Sequence, residues 1–532
     1  MMETEKPRIL VGDKIVDEAI AMLRQNADVD IKIGIGQEEL ESVIENYDAL
    51  IVRSVPLVTE AVLSRGKRLK VVGRAGNGVD NIDVDAATRH GVVVVNTPDS
   101  NSISACEQTI ALMLAAARNL PQANAALKQG SWGRNRFMGN ELYSKTLGIV
   151  GLGRIGSLLA TRLKSFGMRV IACDPYITPE RFKRFGVERM ETLNDLVRQA
   201  DFITVHTPKT EETVGMIGEE QFKIAKPGVR VVNCARGGII DEQALASALR
   251  QGIIAGASLD VFSNEPCTGN PLLEFDNVVV TPHIGATTHE AQHRVGTDVA
   301  TFVLAALRGE IAPNTVNLPC LMGDELDSLR PHLILAESLG KLYYQLDKGP
   351  VERVELTYSG EIANKETGII TLAFLKGLLT PVMGENVNLV NASWLAENRG
   401  VKVFEKREAE ATGYLNLITA CIAQDGKQTS FAGTVGLDNG SRIVRINRYQ
   451  MDIVLTPYML FVEHLDRPGM IGFLGTILGK ANVNIATMQV GRVTRDQEAM
   501  MILSVDSPLD EVVMAQLRQL EGIRSVKAIS LR

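Results

Sequence analysis

The 532-residue sequence has no apolar run of ~18 residues, the length a helix needs to cross a bilayer. The nearest approach, Gly368 to Gly384, is interrupted by Lys376 and Pro381. The first residues, Met1 to Arg8, are charged and lack the apolar core of a secretory leader. Cysteine is scarce: Cys106, Cys173, Cys234, Cys267, Cys320 and Cys421 are scattered, with no pair at CxxC spacing. That pattern speaks against a zinc knuckle or a disulfide framework and for reduced thiols, with no metal site expected. There is no excess of positive charge either. Lys and Arg number 56 against 63 Asp and Glu, a net −7, which argues against a broad nucleic-acid surface but leaves room for a local anion site. The expectation is a cytoplasmic chain with neither membrane nor nucleic acid as partner.

What is present is the composition of a globular protein, 45% apolar and 22% charged, long enough for two to four domains. Through roughly the first 310 residues short apolar runs alternate with helical spacing. Runs Arg8–Gly12, Val29–Gly34, Ala49–Ser54, Leu69–Arg74 and Val92–Thr97 suggest one parallel α/β lobe. A helical segment from about Ser102 to Asn119, with Asp99 and Ser100 as capping candidates, leads to a second lobe. Its strands are expected at Thr146–Val150, Arg169–Asp174, Asp201–Thr207, Val229–Cys234, Ala257–Val261 and Asn277–Thr281. A helix from about His289 to Arg308 would return to the first lobe. The pattern loosens from about Gly323 to Arg448, then resumes from Tyr458 in a βαββαβ order, the ferredoxin-like arrangement. The fold class expected is α/β: two doubly wound parallel-sheet lobes of Rossmann type, an α+β segment, and a ferredoxin-like end.

Gly151-Leu-Gly153-Arg154-Ile155-Gly156 follows an apolar strand and opens a helix. Such glycines permit a tight turn, close approach to a pyrophosphate and close helix–strand packing, and the helix N-terminus favours the negative charge. The next strand ends at Asp174, where a carboxylate would bind ribose hydroxyls and repel a 2′-phosphate. NAD is therefore the expected cofactor, rather than NADP.

Asp174, Thr207, Arg236, Asp260 and His283 recur at the C-terminal ends of expected strands, the edge where open parallel sheets bind ligands. Oxidising a 2-hydroxy acid needs a cation for the carboxylate and a base for the hydroxyl proton. Arg236 can supply a two-pronged contact, and His283 can exchange a proton near neutrality, with Glu265 holding its other ring nitrogen. Each residue alone also has a structural reading: a surface arginine, a loop acid, a histidine after proline.

Together, Asn233-Cys234-Ala235-Arg236-Gly237-Gly238, Leu259-Asp260-Val261-Phe262 with Glu265-Pro266, and Thr281-Pro282-His283-Ile284-Gly285-Ala286 resemble the three signature segments of the D-isomer-specific 2-hydroxyacid dehydrogenases. The resemblance covers roughly residues 7–316. It implies a discontinuous substrate domain (1–98 and 286–316) around an NAD domain (99–285). It makes Arg236 the carboxylate binder, His283 the proton acceptor and Glu265 its partner. Thr207, Cys234, Ala235, Arg236, Asp260, His283, Gly285, Ala286 and Asn77 would line the cofactor.

Arg53, Arg74 and Arg134 resemble the phosphate-binding arginines of members acting on phosphorylated substrates, the last coming from a neighbouring subunit. Some 200 further residues resemble the intervening domain (317–452) and the ACT domain (453–532) of the family's long forms. The implied reaction is NAD-dependent oxidation of 3-phospho-D-glycerate to 3-phosphohydroxypyruvate, opening L-serine synthesis, in a homodimer or homotetramer. L-serine would act as effector at His464, Asp466 and Asn484, although Asp and Asn also stabilise turns. Two other readings remain open: a hydroxypyruvate or glyoxylate reductase of the same family, and an NAD-sensing scaffold. The basic run Arg442, Arg445, Arg448 reads as a solvated strand face rather than an anion site.

Overall fold

The computed structural model describes residues 6–319, 323–347, 349–493 and 498–531; Cys320 and residues 1–5 lie outside them. In the first lobe β1 (Arg8–Val11), β2 (Asp28–Ile31), β3 (Ala49–Val52), β4 (Val71–Arg74) and β5 (Val93–Asn96) form a parallel sheet in the order β2-β1-β3-β4-β5. All four residues of β3 are buried, as expected of a strand covered on both faces. The strand expected over Val29–Gly34 stops at Ile31, where the sheet edge is exposed and Gly34 turns with φ of 75°. The helix His289–Leu307 covers one face of this sheet. Its Val295, Val299 and Val303, four residues apart, join Ile9, Ile51 and Val71 in one core.

The second lobe holds β6 (Thr146–Val150), β7 (Arg169–Cys173), β8 (Glu188–Arg189), β9 (Phe202–Val205), β10 (Val229–Asn233), β11 (Ile254–Leu259) and β12 (Val278–Val280). All pair in parallel, in the order β12-β11-β10-β9-β6-β7-β8. Chain direction across the sheet reverses between β6 and β9, which opens a crevice at their C-terminal ends. The helix Ser102–Arg118 joins the lobes. Neither Asp99 nor Ser100 caps it: Asn101 holds the cap position without a side-chain bond. Asp99 instead pairs with Arg154 at 2.5 Å, and Ser100 Oγ donates to Asp298 at 2.6 Å, so both side chains tie the start of this helix to facing helices.

The stretch that sequence periodicity left unassigned is an ordered α+β unit. Strands β13 (Arg353–Gly360), β14 (Lys402–Glu408), β15 (Asn416–Gln424), β16 (Lys427–Val435), β17 (Ser441–Ile446) and β18 (Tyr449–Val454) form a mixed sheet in the order β14-β13-β15-β16-β17-β18. The helices Gly323–Leu346 and Gly368–Met383 share its core through Leu335, Leu339, Phe374 and Leu378. Arg442 and Arg448 pair with Asp452 and Glu498, at 2.7 and 2.9 Å. The last unit, β19 (Tyr458–Leu465), β20 (Ile485–Arg492), β21 (Glu498–Val505) and β22 (Ile523–Ser530), is antiparallel in the order β20-β21-β19-β22. With helices Met470–Lys480 and Glu511–Arg518 it keeps the expected βαββαβ order. Among the described residues no helix is long and apolar enough to cross a membrane, and no cluster of His, Cys, Asp and Glu could hold a metal.

Candidate active site

The glycine turn after β6 is shaped by close approach. Gly151 takes φ of 92°, and a β carbon there would lie 2.7 Å from the His206 carbonyl oxygen. A β carbon on Gly156 would lie 2.2 Å from the Gly151 oxygen, whereas Gly153 faces open space. Two glycines thus let turn, strand and helix touch, and the middle one leaves the N-terminus of the helix Arg154–Lys164 open to a ligand. Asp174 is fastened beside this turn: Oδ2 accepts from Leu152 N at 2.8 Å and Oδ1 from Tyr176 N at 3.0 Å. Next to Gly151 the Thr207 hydroxyl is buried without a partner. An open helix end, an anchored carboxylate and an orphan hydroxyl fit a dinucleotide. Asp174→Ala is expected to erode the preference for NAD over NADP, read as the ratio of kcat/KM for the two cofactors. An unchanged ratio would assign ribose recognition elsewhere.

His283 follows β12. Its Nδ1 lies 2.7 Å from Glu265 Oε2, and Glu265 Oε1 accepts from Phe262 N at 3.0 Å. With Nδ1–H donating to a carboxylate already anchored, Nε2 is left as the proton acceptor. The backbone is held as firmly: His283 sits in the left-handed region at φ 52°, and its N–H donates to the Asp260 carbonyl at 2.8 Å. Asp260, 1% exposed, takes Thr281 Oγ1, Ile284 N and Gly285 N on its carboxylate. Strained backbone held by buried bonds is a common feature of functional sites. The other strand-end histidine, His206, is driven by burial down to about 3 and stays neutral. Half-exposed His283 is the one a substrate can reach.

Three guanidinium groups converge where the lobes meet. Burial first, then the positive charges of Arg236 and Arg53, push the Arg74 guanidinium down to about 10, against the opposing pull of Asp80 and Asp13. Arg74 Nε is buried without a partner. The loop after β4 makes room for this crowding. A β carbon on Gly76 would lie 1.6 Å from Arg74 Nη1, and one on Gly78 would lie 1.9 Å from Arg236 Nη2. Cations gathered at such cost to their charged form, with an unused donor, are arranged for a multivalent anion.

Several expected cofactor residues are engaged within the fold. The Cys234 thiol is buried and pushed up to about 12, with Thr109 beside it, so only its backbone is available to the cleft. Ala235 is buried too; its N–H donates to Asn233 Oδ1, while Asn233 Nδ2 donates to the Arg236 carbonyl at 2.8 Å. Asn233 therefore brackets the turn that presents Arg236, a role no spacing rule revealed. Ile155 packs against the core of the second lobe. Arg154 is taken by Asp99, and Gly285 O and Ala286 O accept from Ser104 and Gln292. The Asn77 carbonyl accepts from Asn96 at 2.6 Å. Arg134 stands apart from the guanidinium cluster, on the exposed turn Arg134–Phe137 beside Trp132, which is 76% exposed.

In the C-terminal unit His464 is 2% exposed with Nδ1 against the Leu465 carbonyl, so its ring is not open to solvent in this chain. Asp466 accepts from Arg492 at 3.4 Å, and Asn484 donates to Asp506 at 2.7 Å.

Residues 110–285 match the NAD binding domain of the D-isomer specific 2-hydroxyacid dehydrogenases. Residues 328–447 match the D-3-phosphoglycerate dehydrogenase intervening domain, and residues 458–522 the ACT domain. The chain is 46% identical to the D-3-phosphoglycerate dehydrogenase of Methanocaldococcus jannaschii, across 98% of this chain and 100% of that one. Its identity to the Bacillus subtilis enzyme of that name is 43%, across 98% and 99%. Among solved structures, a glyoxylate reductase from Paecilomyes thermophila superposes with a TM-score of 0.55 at 30% identity, covering 59% of this chain and 99% of that one. The D-lactate dehydrogenase of Aquifex aeolicus, complexed with NAD and lactic acid, does so at 0.52 and 27%, covering 57% and 96%.

Proposed function

Because the chain belongs to the D-3-phosphoglycerate dehydrogenases, we propose that the cleft oxidises 3-phospho-D-glycerate to 3-phosphohydroxypyruvate through Arg236, His283 and the Arg53–Arg74 pair. The observation that carries this reading is the gathering of Arg53 and Arg74, at strand ends of the first lobe, against Arg236 of the second, whose sheet edge also carries the His283–Glu265 pair. Arg236 takes the substrate carboxylate in a forked contact, and Arg74 with Arg53 takes the phosphate. Bound NAD supplies the acceptor for the hydride that leaves C2. As it leaves, His283 Nε2 takes the hydroxyl proton, and Glu265 stabilises the resulting imidazolium. In the reverse direction the imidazolium returns that proton to the carbonyl oxygen.

The chain acts in a homo-oligomer, in this reading. Leu120, Leu127, Trp132 and Met138 are exposed around the helix Leu120–Lys128, which buries none of its residues in its own chain. A partner seated there would cover this face and receive Arg134 near its own phosphate site. L-serine is the proposed effector of the ACT domain. Asp466 and Asn484 would exchange their present partners, Arg492 and Asp506, for its ammonium and carboxylate groups. The reaction runs in the cytoplasm at the head of serine synthesis.

The test is NADH oxidation with 3-phosphohydroxypyruvate, hydroxypyruvate and glyoxylate, each with and without L-serine. The expected result is a strong preference for the phosphorylated acid and a rate lowered by serine. Turnover of the unphosphorylated acids alone would keep the mechanism and make the protein a hydroxypyruvate or glyoxylate reductase. NADH binding without turnover would favour a sensing scaffold.

A further inference from the structure

Arg236 is held from both lobes at once. It rises from the turn after β10 in the second lobe, and Nη1 donates to the Ala235 carbonyl on its own side at 2.7 Å. Its Nε donates to Asp80 Oδ2 at 3.2 Å, on the segment between β4 and the helix Val84–Arg89 of the first lobe. The remaining fork nitrogen, Nη2, lies against Gly78, 1.9 Å from where a β carbon would stand; Asp80 Oδ2 is 2.6 Å from that same point. Two of the three contacts that orient the guanidinium therefore come from the opposite lobe.

Asp80 is largely exposed, so the pair contributes little to stability. Its consequence is geometric. An arginine has several rotatable bonds, and a fork ordered before the substrate arrives avoids losing that freedom on binding. The bonding also selects an edge. Of the five guanidinium N–H groups, Asp80 takes the one on Nε and Ala235 one on Nη1, leaving the remaining N–H groups on Nη1 and Nη2 for the substrate.

We infer that Asp80 is the positioning residue for Arg236: its carboxylate bridges the cleft and sets the guanidinium fork at the angle from which it meets the substrate carboxylate. This rests on the reading that Arg236 binds that carboxylate. The negative charge also opposes the mutual repulsion of the guanidinium cluster.

The experiment is a double-mutant cycle of Asp80→Ala and Arg236→Lys in the full chain, reading kcat and KM for 3-phosphohydroxypyruvate and NADH affinity by fluorescence. Asp80→Ala is expected to lower kcat/KM about 10- to 100-fold, the range for a misplaced binding group, with NADH affinity held within about twofold. In the Arg236→Lys background the same substitution should change kcat/KM by less than about twofold, because lysine has no fork to aim. Asp80→Asn, whose amide oxygen can still accept from Nε, should recover most of the loss. Near-normal kcat/KM in Asp80→Ala, additive losses in the double variant, or loss of NADH binding would each overturn the inference. If Arg236→Lys alone is silent, the carboxylate reading falls and this inference with it.

Discussion

His283→Ala is expected to lower kcat for 3-phosphohydroxypyruvate reduction by about 10²–10⁴-fold, the range for removing a positioned general acid–base group. NADH affinity should stay near the starting value, because the glycine turn and Asp174 lie on other strand ends. The residue stands at φ 52°, where an alanine is strained, so a collapsed loop could mimic a chemical loss. His283→Asn separates the two effects. Asparagine tolerates the left-handed region, keeping the turn that Asp260 secures through Ile284 N and Gly285 N, but it has no ring nitrogen to take the proton. Both variants should fail alike in single-turnover kinetics. Turnover within about tenfold of normal in either would remove His283 from the proton transfer.

The two lobes were legible because their buried strands read as unbroken apolar runs bounded by chemistry-bearing ends. Ala49–Val52 and Thr146–Val150 are buried at every position, Asp174 directly follows a strand, and His283 comes three residues after one. The middle unit was illegible for physical reasons. Pro331 and Pro381 lie inside its two long helices, where proline ordinarily signals a break. Its strand β13 pairs with both β14 and β15 across 49 to 70 residues of sequence, and such pairings leave no local trace.

At the site, spacing identified residue types but not their engagements. Nothing in the glycine fingerprint says that Arg154 reaches back to Asp99, and nothing in the Asn233–Gly238 segment says that the Cys234 thiol packs in the core. Asp80 and Asn233 were the opposite case. Asn233 opens a signature segment and Asp80 lies between Asn77 and the next helix, yet the role of each emerges only when the other lobe or the following turn comes within hydrogen-bond distance.

The guanidinium cluster makes a second prediction with a large effect. Arg74 is buried, crowded by Arg236 and Arg53, and holds an Nε donor with no partner. Charge-assisted hydrogen bonds contribute about 1.5–3 kcal/mol each, so Arg74→Ala should lower kcat/KM for 3-phosphohydroxypyruvate by roughly 10- to 100-fold. For hydroxypyruvate, which carries no phosphate, the loss should be no more than a few-fold. Removing one of three crowded cations also relieves repulsion on the other two, which sets the upper limit of the effect. Gly76→Ala offers an independent route, since its β carbon would occupy the place of Arg74 Nη1 and displace the guanidinium while the charge remains. The selectivity ratio between phosphorylated and unphosphorylated acid should therefore fall in both variants. Equal losses on both substrates would mean that Arg74 supports the cleft as a whole, and the phosphate would then have to be sought at Arg53 and Arg134.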